Sequence, residues 1–110
     1  MGGFRLSGVA SSRFNAEARC FLAAFDALEL DKLAEWHVPD AKVVRPLIRT
    51  ATEYFAPQRN NPLMSFAASQ QLVIDFADVF LRWCADPSVP RWCELFDARE
   101  RVRHVEGLLR

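Results

Sequence analysis

The sequence lacks the features that attract nucleic acid or a membrane. Its 14 basic and 14 acidic residues leave no net charge at pH 7, so there is no excess positive charge to attract nucleic acid or anionic lipid. Nowhere do about eighteen apolar residues run together, as a transmembrane helix requires, and the first residues lack the apolar core of a signal peptide. We therefore expect no targeting segment and neither nucleic acid nor a membrane as a partner.

Cysteine is also scarce. The three cysteines, Cys20, Cys84 and Cys93, are odd in number and show neither CxxC spacing nor the Cys/His spacing of a metal site. Reduced thiols in the cytoplasm are the expected state, because disulfide frameworks belong to oxidising compartments. We expect no metal ion and no cofactor.

Apolar residues are abundant. Of the 110 residues 51% are hydrophobic, with nine Phe and three Trp, which suits one domain with a core and is too short for two. We place a single domain at 12–110, after a flexible lead at 1–11 that is rich in Gly and Ser.

The first half of the chain has clear element signals. Apolar residues recur every three or four positions and predict a helix near 13–27; they are Phe14, Ala18, Phe21, Leu22, Phe25 and Leu28. A second short helix is expected over 31–37, with Asp31 as its cap and a proline after it. The valine-rich segment 41–46 predicts a strand, and 48–56 predicts another short helix.

Two stretches of the second half fit either a helix or strands. In 93–110 a helical stripe can be drawn, but the same residues also fit two strands joined near Arg99. Residues 71–83 have the same ambiguity, and local propensity does not resolve it.

The order of these elements resembles the nuclear transport factor 2-like superfamily, which includes ketosteroid isomerases and limonene epoxide hydrolase-like proteins. The resemblance rests on FLAAFDALELDKLAEWHVPDAKVVRP at 21–46 and LFDARERVRHVEGLL at 95–109. It implies an α+β fold, a cystatin-like roll in which a curved mixed or antiparallel sheet wraps around N-terminal helices and forms a cone with an apolar pocket. The alternative is an all-α bundle, because the Arg-Glu-Arg run at 99–101 favours helix over a tight turn.

The cone implies which side chains face a ligand. The ligand-binding residues expected on this basis are Phe21, Phe25, Trp36, Arg45, Val79, Leu81, Trp83, Trp92, Glu94, Phe96 and Leu109. The candidate catalytic residues are Arg45, Glu94, His37 and Asp78. The positions that match the ketosteroid isomerase groups hold Arg45, Phe21 and Trp92, so all three functional groups of that mechanism are absent. Of the three epoxide hydrolase groups, Asp78 is the one that is matched.

The function expected from this set is binding of a small apolar or aromatic molecule in the cone. One alternative is a small-molecule enzyme of isomerase, cyclase or dehydratase type, in which Arg45 binds a carboxylate or enolate oxygen and Glu94 transfers a proton. The other is a dimeric association module with a filled pocket. Fold alone does not choose among these classes.

A homodimer is also expected. Strand alternation in the cone places four large apolar residues on the uncovered outer face of the sheet, and these are Phe76, Phe80, Leu95 and Leu108. A second copy related by a two-fold axis is the simplest cover for such a face.

Overall fold

The computed structural model describes residues 2–30 and 38–110, and every regular element within these ranges is helical. The four α-helices are α1 at Gly2–Ala27, α2 at Ala41–Thr50, α3 at Ala68–Ala85 and α4 at Val89–Val105. A π-helical segment at Ala51–Phe55 and a 3-10 helix at Ala56–Gln58 continue α2, and a 3-10 helix at Glu106–Leu109 continues α4. The expected α+β cone is therefore wrong, and the alternative, an all-α arrangement, is the observed one. None of the described helices combines the length and apolar character needed to cross a membrane.

Helix α1 follows the predicted apolar stripe, whose members Phe14, Ala18, Phe21, Leu22 and Phe25 are all buried. This confirms the helix predicted over 13–27. The helix begins at Gly2, inside the predicted lead, whose flexibility stays a prediction. The helix predicted over 31–37 lies outside the described residues.

Helix α1 ends in a turn with an unusual backbone. Glu29 has a φ of 51°, in the left-handed region that commonly ends a helix and usually holds glycine. The turn places Leu30, which is buried, back against the core.

Helix α2 occupies the segment that was predicted to be a strand. The side chain of Asp40 caps it by accepting a hydrogen bond from the backbone N–H of Lys42 at 2.8 Å. Val44, Leu47 and Ala51 then fall on one buried face. The cap and the burial of this face outweigh the strand preference of the valines, so the predicted strand at 41–46 is wrong. The short helix predicted over 48–56 is confirmed as the continuation of the same helical run.

Helices α3 and α4 form a hairpin and make the most extensive contact between any two of the described elements. The Ser88 side chain caps α4 by accepting a hydrogen bond from the backbone N–H of Arg91 at 3.3 Å. The buried residues lie at helical spacing, Val73, Ile74, Phe76, Ala77, Phe80 and Trp83 on α3 and Leu95, Ala98, Arg99 and Val102 on α4. The strands expected at 71–83 and 93–109 are therefore wrong.

An aromatic cluster forms the centre of the core. The ring of Phe21 lies 5.2 Å from Phe55 and 5.8 Å from both Phe76 and Phe80, measured between ring centroids. These tilted and edge-to-face contacts, typical of buried aromatic pairs, join α1 to the π-helical segment and to α3.

Three of the four residues predicted to form the homodimer surface are buried within the chain, so the face assignment is wrong, while the homodimer itself stays a prediction. Phe76, Phe80 and Leu95 have no solvent exposure within the single chain, because all three are core residues. Leu108 remains as an exposed apolar side chain of the four. The prediction placed these residues on the outside of a sheet, and the helical fold turns three of them inward.

Candidate functional site

A groove of about 450 Å³ lies between α1 and α2 and is lined mainly by apolar side chains. Helix α1 and the residue after it contribute Glu17, Cys20, Phe21, Ala24, Ala27 and Leu28. Helix α2 contributes Val43, Pro46, Leu47 and Thr50. On both helices these residues recur every three or four positions, so each set forms a continuous stripe along its helix.

The groove exists because large side chains form its floor and small ones its walls. Phe21 and Leu47 form the floor, being 2% and 4% exposed. Ala24 and Ala27 on α1 are exposed and carry only a methyl group, which leaves open space beside Val43. Val43 is 53% exposed, one of the few large apolar side chains with such exposure among the residues whose burial the structure describes.

The polar groups of the groove do not form a reactive pair. The hydroxyl of Thr50 donates a hydrogen bond to the carbonyl oxygen of Pro46 at 3.1 Å, within the same helix. Among the described residues no hydrogen bond joins Glu17, Cys20 and Thr50, whereas an activated nucleophile needs a base within reach. The arrangement is suited to holding an apolar group rather than to acid–base chemistry.

The predicted ligand-binding residues do not come together at one site. Phe21 lies in the floor of the groove, while Phe25 and Phe96 line a different cavity beside α4. Trp83 and Leu109 are core residues without exposure.

The remaining members of that set are dispersed or not described. Val79 and Leu81 are half-buried residues of α3. Trp92 is half-buried and its ring packs against Trp83 and Phe96, with centroid distances of 5.8 and 4.9 Å. Trp36 lies outside the described residues.

The candidate catalytic residues are also separated. Arg45 and Glu94 are both exposed, on α2 and α4, and share no ion pair or hydrogen bond in the part of the chain that the structure describes. The expected facing pair depended on the cone and is not observed. Asp78 forms an ion pair with Arg59 and another with Arg82 at 2.8 Å. His37 lies outside the described residues.

Sequence reasoning missed Arg99, which it placed in the Arg-Glu-Arg run at 99–101 and not among the candidate site residues. It is 3% exposed, and its Nε and Nη2 donate to the two carboxylate oxygens of Asp26 at 2.9 and 2.7 Å. Nη2 also donates to Glu106 at 2.6 Å. Its position in the sequence was the signal that it is buried. Residue 99 directly follows Ala98 and lies four residues after Leu95 in the apolar stripe of α4.

The electrostatics of Arg99 follow from this geometry. Burial lowers the pKa of the guanidinium, but its hydrogen bonds and charge interactions with Asp26 and Glu106 outweigh that effect and raise the pKa above its ordinary value. Arg99 is thus held as a buried cation that joins α1 to α4 and to the last 3-10 helix.

Within residues 2–30 and 38–110, no three His, Cys, Asp or Glu side chains form a group that could hold a metal ion. No family model, curated protein or solved structure matches this chain. The resemblance to the nuclear transport factor 2-like superfamily therefore stays a prediction from its quoted motifs, and the fold that it implied is wrong.

Proposed function

We propose that this chain binds a small apolar or aromatic molecule in the groove between α1 and α2. The observation that carries the proposal is the combination of apolar lining and size. The volume of about 450 Å³ falls within the range of about 300–1,000 Å³ that is usual for small-molecule sites. The buried floor of Phe21 and Leu47 gives such a molecule a fixed apolar surface.

The expected affinity is modest. Binding would remove the exposed faces of Val43 and the wall alanines from water, at about 25 cal/mol per Å² of apolar area. A neutral probe such as N-phenyl-1-naphthylamine, at about 0.3 kcal/mol for each non-hydrogen atom, would gain about 5 kcal/mol, which corresponds to a Kd of about 0.2 mM. Glu17 is the one charged side chain among the described residues of the lining, so neutral ligands are favoured over anions.

The test is a fluorescence titration of the protein into dilute N-phenyl-1-naphthylamine. We expect a saturable rise in emission for the wild-type chain. In Ala24→Arg the long side chain occupies the groove, so the affinity should fall at least about tenfold. The matched control is Ala23→Arg. Ala23 lies one residue earlier on the same helix and is also exposed, but it lines a separate cavity. The control should bind as the wild type does.

Three results would contradict the proposal. The first is the absence of saturable binding, and the second is equal binding by Ala24→Arg and Ala23→Arg. The third is a wild-type dimer in sedimentation that Ala24→Arg dissociates, because the groove would then hold a second copy and the association module would be the better description. Among the described residues no contact favours the enzyme alternative, since Arg45 and Glu94 are both exposed and share neither an ion pair nor a hydrogen bond there.

We also propose that the protein works in the cytoplasm. Its cysteines are free, and Cys20 and Cys93 are exposed. Exposed free thiols persist in a reducing compartment and are oxidised elsewhere. Fractionation of cells that express the protein tests this; recovery in an oxidising compartment would contradict it.

A further inference from the structure

A cavity of about 260 Å³ lies between α1, the helical segments that continue α2, and the loop that leads to α3. The polar residues described in its lining are Arg13, Tyr54, Gln58 and Asn61, and none of them is acidic. We propose that the cavity binds a small aromatic carboxylate, with the carboxylate at Arg13 and the ring against the aromatic side chains. This site is distinct from the groove between α1 and α2, and the proposal does not depend on the function proposed for that groove.

Three aromatic side chains of the cavity pack together. The ring centroid of Phe14 lies 5.2 Å from that of Phe66 and 6.2 Å from that of Tyr54. Phe14 is a buried core residue, whereas Tyr54 and Phe66 are half-buried and keep surface that a ligand can reach. A planar ligand ring would make with these two the edge-to-face or offset contacts that aromatic groups favour. The volume lies just below the range of about 300–1,000 Å³ that is usual for drug-sized ligands, so a ligand with a single ring is expected.

Arg13 supplies an accessible positive charge. Its side chain belongs to an exposed residue, and its guanidinium lies over the ring of Tyr54, with 5.6 Å between Cζ and the ring centroid. Within residues 2–30 and 38–110 this guanidinium forms neither an ion pair nor a hydrogen bond, so its N–H donors have no protein acceptor. An arginine can contact an aromatic ring and bind a carboxylate through its N–H groups at the same time. A carboxylate brought in by a ligand would therefore find donors at Arg13 without displacing an acid of the protein.

The other polar groups also favour an anion. Oδ1 of Asn61 already accepts a hydrogen bond from the backbone N–H of Leu63 at 3.0 Å, so its NH₂ group remains as a donor. Glu17 also acts on the hydroxyl of Tyr54, but Arg13 outweighs it: burial raises the pKa of Tyr54, and the charge of Arg13 lowers this pKa by more than the charge of Glu17 raises it. Positive charge and N–H donors together favour a carboxylate over a neutral or cationic group.

Three probes separate the contribution of the ring from that of the charge. Benzoate carries both, benzamide carries the ring alone, and acetate carries the charge alone. Each is titrated into the ¹⁵N-labelled full chain, with the backbone amide shifts of residues 13, 54 and 63–66 as the readout. We expect benzoate to bind at least about fivefold more tightly than either of the others, because it alone combines ring contacts with charge-assisted hydrogen bonds. Benzamide or acetate binding as tightly as benzoate, or no saturable shifts at these residues, would overturn the proposal.

Two pairs of variants test the location. Arg13→Gln removes the cation and should weaken benzoate binding at least about fivefold. Its matched control is Arg45→Gln, which removes the same charge from an exposed position on α2 outside the cavity and should leave benzoate binding unchanged. Phe66→Leu keeps an apolar side chain but removes the ring, and should weaken benzoate binding at least about twofold. Its matched control is Phe96→Leu, because Phe96 is also a half-buried ring but lies on α4, outside this cavity. Equal effects within either pair would overturn the proposal.

Discussion

The ion cluster formed by Arg99, Asp26 and Glu106 should respond differently to the loss of its acid and the loss of its base. Removing Asp26 leaves a guanidinium that is 3% exposed with Glu106 as its remaining carboxylate. Removing Arg99 leaves two carboxylates whose side chains are 40% and 35% exposed, and water can reach them. Removing Asp26 should therefore lower the free energy of unfolding more than removing Arg99 does.

The magnitudes follow from exposure. Breaking a buried pair costs about 3–5 kcal/mol when the remaining charge has no partner, and Glu106 reduces this to about 2–3 kcal/mol for Asp26→Ala. In Arg99→Met the new side chain keeps the packing of the arginine stem while the half-exposed acids become hydrated, so we expect about 1 kcal/mol. Glu100→Ala serves as a surface control, because Glu100 pairs with Arg103 in an exposed position, and its effect should be below about 0.5 kcal/mol.

The assay is urea unfolding followed by far-ultraviolet circular dichroism, with the slope m compared among variants to confirm that the midpoint shifts report stability. The reasoning is refuted if Arg99→Met is destabilised as much as Asp26→Ala. It is also refuted if both variants unfold like Glu100→Ala, because Arg99 would then be solvated.

Three further predictions rest on single residues. Burial raises the pKa of Cys84 to about 12, so iodoacetamide at pH 8 should modify it about 30-fold more slowly than the exposed Cys20 and Cys93, as measured by mass spectrometry; equal rates would contradict this. Tyr54 is the one tyrosine, and burial raises its pKa above 10.0, so absorbance at 295 nm should show a late titration. The unfolded chain loses this proton first, and the free energy of unfolding should therefore fall as the pH rises above 10.0, whereas a flat profile would contradict the assignment. Gly107→Ala should raise the free energy of unfolding by about 0.5 kcal/mol, since the glycine φ is not positive and nothing lies within 4 Å of an added Cβ; a lower melting temperature would contradict this.

Helix α1 could be predicted from the sequence because the pattern of its buried residues is contained within the helix itself. Phe14, Ala18 and Phe25 repeat at helical spacing, and a single buried face explains them all. For α4 the helical and strand readings fit equally well, and long-range contacts decide between them. The position of Arg99 in the stripe of α4 indicates burial, but its partner Asp26 lies 73 residues away in the chain, and no local pattern identifies that partner.

The wrong prediction of a strand at 41–46, where the chain forms α2, came from misinterpreting the residues just before it. Asp40 lies in the segment 21–46, on which the resemblance to an α+β superfamily rested, whereas its side chain caps a helix. With α2 assigned as a strand, the stripe from Val43 to Thr50 could not be paired with the outer stripe of α1. Phe21 was placed among the candidate ligand contacts as part of a cone that the chain does not form, and it lies instead in the floor of the groove. The groove could be found only once both helices and their packing were known.

The most direct test of the proposed groove is a set of intermolecular nuclear Overhauser effects. Isotope-labelled protein with bound N-phenyl-1-naphthylamine should show contacts from the probe to the methyl groups of Val43, Leu47 and Leu28, which line the groove from both helices. These contacts should disappear in Ala24→Arg and persist in Ala23→Arg. Contacts to other methyl groups in place of these, or none at saturating probe, would contradict the account.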